Sequence, residues 1–248
     1  MPPNVGAMSS SGLKTTNFQI MTNDNKHQKL SDSAEPAIAY STCYAQPFVQ
    51  NSSFRDLKLS EKADLLIIDP PHDVFFDDIV SYIDLHCKKD AVKIILDSDK
   101  NIVKYCNLFG ERFSFFMCHD FIFHIGNKNM PLRQFDLIAV FDYNSKKFNN
   151  LKDGFSNIMR HKSERMKGTE NLKHRHQKPL KLYDDLIKHF SNENDLVLDY
   201  FVGSGMIIQS CLNNKRRFVG SEINNETFKK IFDMNFNKKT YYDAPTLF

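Results

Sequence analysis

Asp69-Pro70-Pro71-His72 and Asp199-Tyr200-Phe201-Val202-Gly203-Ser204-Gly205 are the segments of this 248-residue chain whose residue types could do chemistry. In the first, two prolines fix φ and remove two backbone donors, which leaves their carbonyl oxygens as acceptors. Asp69 adds a carboxylate beside them. A corner built of acceptors suits an amino group, which brings two N–H donors. In the second segment, glycines let the backbone turn tightly and approach a ligand, and a following helix offers N–H groups at its start. Glu222 ends the next apolar run, Phe218-Val219-Gly220-Ser221-Glu222. An acid about 20 residues beyond a glycine turn, at the next strand tip, is placed to accept from ribose hydroxyls. A third glycine is missing, so a nucleoside without a pyrophosphate, such as S-adenosylmethionine, fits better than a dinucleotide. Each segment alone also has a plainer reading, as a rigid corner or a tight turn.

The elements that must carry these segments follow from the apolar pattern. Leu65–Ile68 reads as a strand, Phe76–Cys87 as a helix, and Val92–Leu96 as a strand ending at Asp97-Ser98-Asp99. Asn101–Phe109 suits a helix closed by Gly110, and Phe113–Ile125 alternates as an aromatic-rich strand. Residues 126–131 read as a loop, and Leu137–Phe141 as a strand. Leu180–Phe190 fits an amphipathic helix, Leu196–Leu198 a strand, Met206–Asn213 a helix, and Phe218–Gly220 a last short strand. Strands alternating with helices predict an α/β fold with a doubly wound, mostly parallel sheet. Both chemistry-bearing segments then lie at carboxyl ends of strands, where such sheets bind ligands.

Composition bounds the rest. With 41% hydrophobic residues the chain can bury one substantial core. Residues 1 to about 35 are polar, with scattered apolar positions, and read as a flexible arm before a main domain over 36–248. Five scattered cysteines, Cys43, Cys87, Cys106, Cys118 and Cys211, lack zinc-ligand spacing and argue against a disulfide framework. No metal is expected. Neither a membrane span nor a signal-peptide core is visible, so an intracellular, non-secreted protein is expected. The formal charge of +3 conceals an uneven distribution: 146–178 holds ten Lys/Arg against three acids. Such a basic, weakly apolar stretch is a solvated loop or a phosphate-backbone contact carried by Arg160, Lys162, Arg165 and Lys167.

Taken in order, these features resemble the amino-methyltransferases of nucleic acids in the permuted β arrangement of DNA methyltransferases. That family carries Asp-Pro-Pro-aromatic early and Phe-x-Gly-x-Gly late. Before the late motif it has a His-Pro-Thr-Gln-Lys-Pro-like sequence, matched here by His174-Arg175-His176-Gln177-Lys178-Pro179. Arg133 and Asp136 before an apolar strand resemble its middle segment, and the likeness covers about residues 60–235. It departs at Tyr200 and Arg175, where the family has Pro, at Met206 for Thr, and at His72 for Tyr, Phe or Trp.

The resemblance implies a Rossmann-like methyltransferase fold, with 146–175 as a short target-recognition-like insertion. It implies methyl transfer from S-adenosylmethionine to the exocyclic nitrogen (N6) of adenine in DNA, since Asp69 rather than Ser tilts the target toward adenine. Asp69, Pro70, Pro71 and His72 would be catalytic, with His72 stacking on a flipped base and Phe75 or Phe76 as substitutes. Lys178, Asp199, Phe201, Gly203, Ser204, Gly205, Glu222 and Asn224 would bind the cofactor, Lys178 near its methionine carboxylate. A homodimer or a second subunit is a further implication. The alternatives are a catalytically silent relative, favoured by His72, and a cytosine-N4 or RNA amino-methyltransferase.

Overall fold

The computed structural model of the chain describes residues 47–125, 133–144, 155–161 and 177–236. The expected arm over 1–35, the loop 126–131, Lys162, Arg165, Lys167 and 174–176 lie outside them. The described residues form an eight-stranded sheet of β1 (Phe48–Gln50), β2 (Ala63–Ile68), β3 (Cys87–Asp97), β4 (Phe113–Ile125), β5 (Arg133–Phe141), β6 (Ile158–Arg160), β7 (Leu196–Asp199) and β8 (Arg217–Ser221). Its order is β1-β8-β7-β2-β3-β5-β4-β6. All pairs are parallel except those of β5 with β3 and β4.

Helices cover both faces. Leu66 and Ile68 of β2 pack with Ile79 and Ile83 of α1 (Ile79–His86) and with Ile102 and Tyr105 of α2 (Asp99–Phe109). Leu65 and Ile67 point the other way, onto Leu182 and Leu186 of α3 (Leu180–Phe190) and Ile207 of α4 (Met206–Asn213). Phe228 and Ile231 of α5 (Asn225–Phe236) join that side. Burial on both faces explains why Leu65–Ile68 is an unbroken apolar run rather than an alternating one.

Several elements differ from the sequence expectation: α5 is additional to it, and β5 begins at Arg133 rather than Leu137. The helix expected over Phe76–Cys87 starts only at Ile79, after Asp78, whose carboxylate is held by Arg55 (2.6 and 2.8 Å) and makes no helix-capping bond. Strand β3 begins at Cys87, ahead of Val92, through the exposed Lys88-Lys89-Asp90 whose polarity hides it. Two three-residue strands were not expected. β1 pairs with β8, and β6 lies within the basic stretch read as weakly structured, paired with β4.

Gly220 of β8 shows how tightly the sheet packs beneath the glycine turn. A Cβ there would lie 2.6 Å from both the Asp199 carbonyl oxygen and a Val202 methyl. Gly220→Ala should therefore cost about 3 kcal/mol, the upper end for overpacking. The urea midpoint should fall with the slope unchanged; an unaltered midpoint would refute the close approach.

Candidate active site

The sheet places a row of carboxylates at one edge. Of the neighbouring parallel strands, β7 and β3 end at Asp199 and Asp97, and β8 and β2 are followed directly by Glu222 and Asp69. Antiparallel β5 enters at the same edge, with Leu137 opposite Asp97, so Asp136 joins the row. The two segments singled out in the sequence thus follow adjacent, paired strands, β2 and β7.

Asp69 is gripped by Lys178, whose Nζ donates to Oδ1 at 2.9 Å and Oδ2 at 2.8 Å. The same ammonium lies 3.6 Å from Asp136 Oδ2. All three side chains are largely buried, with exposures of 8%, 16% and 8% for Lys178, Asp69 and Asp136. Burial raises the Asp69 carboxyl above its usual range, and Lys178 offsets only part of that rise. Burial by itself would push the Lys178 ammonium down, but the two carboxylates outweigh it and hold the lysine above its ordinary value. The family resemblance implies a cofactor carboxylate as the partner of Lys178; here the lysine holds the carboxylate of the acceptor corner.

Pro70 is buried and Pro71 exposed. Val74 N–H donates to the Pro71 carbonyl at 3.0 Å, so that oxygen is engaged in the turn. His72 follows, about one-third exposed, with Nδ1 3.2 Å from Asp97 Oδ1. Phe75 packs on Tyr105 (4.9 Å between ring centres) and Phe76 stacks on Phe201 (5.2 Å). Both phenylalanines therefore line the core margin.

At β7, Asp199 is buried and accepts from Phe201 N–H at 2.9 Å. Burial holds its carboxyl well above the usual range. Gly203 (φ +53°) and Gly205 (φ +77°) take the left-handed conformation that the turn into α4 requires. A Cβ on Gly203 would meet nothing closer than 3.5 Å, so the turn presents open backbone to a ligand. Glu222 faces it: Oε2 accepts from Gly203 N–H (2.9 Å) and Oε1 from Asn224 N–H (2.7 Å). No side chain caps α4. Oriented carboxylate oxygens beside uncapped N–H groups match a ribose diol and an anionic group, so these residues fit a nucleoside with a carboxylate. Asn224 caps α5, its Oδ1 accepting from Thr227 N–H at 2.9 Å. Ser204 is half-buried in the turn.

Sequence reasoning missed a supporting layer at the far side of the row. His119 of β4 sits opposite Asp136 in the ladder, and its ring lies 5.5 Å from that of His161. Burial pushes His119 down to about 4, so it is neutral at physiological pH. His161 Nε2 bonds Asp185 of α3 at 2.9 Å. Arg160, the described member of the expected DNA contacts, pairs with Asp120 at 3.0 Å and stays 69% exposed at the rim. Among the described residues no group of three His, Cys, Asp or Glu could hold a metal, and no helix is long and apolar enough to cross a membrane.

Known proteins resemble this chain in sequence and in fold. Over 67 residues it is 43% identical to the type II methyltransferase M.HpaI of Haemophilus parainfluenzae, which covers 26% of this chain and 21% of that protein. Over 48 residues it is 44% identical to the orphan methyltransferase M.BamHII of Bacillus amyloliquefaciens, covering 19% and 18%. The chain thus spans about one-fifth of the length of these curated relatives. The crystal structure of an M1.HpyAVI–SAM complex superposes with a TM-score of 0.59 at 26% identity, covering 71% of this chain and 90% of that one. The cytosine-N4-specific PvuII DNA methyltransferase shares the fold at 12% identity and a TM-score of 0.56, covering 73% and 83%. The model of the N6/N4 DNA methylases matches residues 12–233, and the chain belongs to that family.

Proposed function

We propose that this chain transfers a methyl group from S-adenosylmethionine to the exocyclic amino group of adenine in DNA. One observation carries the reading: the Asp69-Pro70 acceptor corner and the Gly203–Gly205 turn with Glu222 end neighbouring strands of one sheet edge. M1.HpyAVI, similar in fold and sequence, has been crystallised with SAM, which supports the cofactor.

The exocyclic nitrogen is a poor nucleophile because its lone pair is delocalised into the ring. Asp69 and the Pro70 carbonyl would accept its two N–H bonds, Pro71's oxygen being engaged by Val74. Two acceptors on one nitrogen favour a pyramidal amine and aim its lone pair. S-adenosylmethionine supplies an electrophilic sulfonium methyl when bound. Glu222 would hold its ribose hydroxyls and the turn its carboxylate end, so preorganised positioning supplies most of the acceleration. The order of the acceptor corner before the glycine turn supports the permuted β class.

Incubation with DNA and methyl-labelled cofactor, then nucleoside digestion and mass spectrometry, tests the reading. Labelled N6-methyladenine is expected. N4-methylcytosine would reassign the base, and cofactor binding without any methylated base would leave a silent relative.

The DNA contact has its own test. Neutralising Arg160, Lys162, Arg165 and Lys167 together should reduce the salt slope of DNA binding by about three to four, roughly 0.9 for each phosphate that no longer meets a cation. An unchanged slope would make the stretch a solvated loop.

A further inference from the structure

His72 stands where the family carries an aromatic ring, and the structure surrounds it with groups a stacking ring would not need. Asp97, fully buried at the tip of β3, bonds His72 Nδ1 at 3.2 Å. Asp97 is itself fixed: Ser98 N–H donates to its Oδ1 at 2.5 Å, and Asn101 Nδ2 lies 3.3 Å from both of its oxygens. Asn101 also donates to the carbonyls of His72 (3.2 Å) and Val74 (3.0 Å), clamping the backbone that presents the ring. A buried carboxylate on Nδ1 selects the Nδ1–H tautomer and leaves the lone pair on Nε2, as in hydrolytic triads. A substituted, decayed position would not require this second layer.

Resting on the methyl-transfer reading above, we propose that His72, oriented by Asp97, accepts the proton that the target amine sheds on methylation. The lone pair of the amino nitrogen forms the new N–C bond as the S–C bond breaks and its electrons return to sulfur. The nitrogen then carries a positive charge and loses one of its protons to Nε2 of neutral His72. The hydrogen bond from Nδ1–H to Asp97 stabilises the imidazolium that forms. Asp69, its carboxylate bound to Lys178 through both oxygens, keeps its role as acceptor and orienter. His72 is catalytic in this scheme and Asp97 a positioning residue.

The charged groups acting on the ring include Asp97, Asp69 and Lys178. The Asp97 hydrogen bond raises the imidazole most, burial opposes it, Asp69 adds to the rise, and Lys178 counters it; the net direction is upward. Because the neutral ring is the active form, the rate climbs with pH through a value raised from that of an ordinary histidine and then levels off.

Single-turnover methylation of DNA by the full chain, followed across pH, tests the proposal against stacking alone. His72→Phe keeps a planar face without a titratable nitrogen. It should bind S-adenosylmethionine normally, transfer about 10²-fold more slowly, and lose the acid limb. Asp97→Asn should move the limb to lower pH. Imidazole added to His72→Gly should restore part of the rate. A His72→Phe enzyme with the wild-type rate and limb would overturn the proposal, the limb then belonging to Asp69. Should His72→Phe not fold, nitrogen NMR of the wild-type ring decides: Nδ1–H with a titrating Nε2 is expected, and the Nε2–H tautomer would overturn it. Methylation by wild type with failure of these variants to behave as stated sinks only this proposal; absence of methylation by wild type sinks the activity itself.

Discussion

Asp69→Ala should lower single-turnover methylation by about 10³-fold or more while leaving the affinity for S-adenosylmethionine unchanged. The loss is large because the substitution removes one of only two acceptors proposed for the target amine. The lone pair then returns to the ring, and nothing else in the corner replaces the carboxylate. Affinity should hold because the ribose and glycine-turn contacts lie on different elements: Glu222 is fixed by the amides of Gly203 and Asn224, not by Asp69. Folding should also survive, since Lys178 keeps Asp136 within 3.6 Å as a counter-charge. Asp69→Asn, which retains one acceptor oxygen, should fall between wild type and Asp69→Ala. Rates from labelled-cofactor turnover and affinities from calorimetry check both halves. Equal turnover by Asp69→Ala would remove Asp69 from the chemistry.

Much of this site is legible in the chain because the signals are local. Apolar runs ending in an acid mark strand tips, and that rule by itself locates Asp69, Asp199 and Glu222. Strong periodicity does the same for α3 and α4, whose ends at Leu180, Phe190, Met206 and Asn213 agree with the expectation. What escapes is non-local. Asp97 also ends an apolar run, but its partner His72 comes from another strand's loop, and only the β2–β3 pairing brings them together. Lys178 lies 109 residues from Asp69, and its spacing to Pro179 carries no information about which carboxylate it meets. The short strands β1 and β6 have three residues each, too few for a period, and exist because a neighbouring strand offers an edge. Polar residues hide the start of β3 for a related reason: the pairing of Cys87 with Ala63 of β2, and not a run of apolar neighbours, begins the strand there.

Lys178→Met should have opposite effects on stability and on activity as pH changes. One ammonium serves two buried carboxylates, Asp69 at 2.8 Å and Asp136 at 3.6 Å. Removing it takes that ammonium away from two acids in a low-dielectric site, at a cost of about 3 to 5 kcal/mol. The Asp69 carboxyl, already raised by burial, then rises further because Lys178 lowers it more than His72 does. An acid whose folded-state value exceeds its unfolded one binds more protons when folded, so stability declines as pH climbs from the unfolded value to the folded one. The variant should therefore lose more stability at about pH 8 than at about pH 5, where protonation relieves the buried charge. Methylation should show the reverse trend, since the ionised Asp69 is the better acceptor and forms only as pH rises. Lys178→Arg, which keeps a cation beside both acids, should retain more stability and a flatter profile. Urea denaturation at the two pH values, with single-turnover rates on the same samples, separates this electrostatic role from packing. A loss of stability equal at both, with a pH-independent loss of rate, would show that Lys178 matters only for the space it fills.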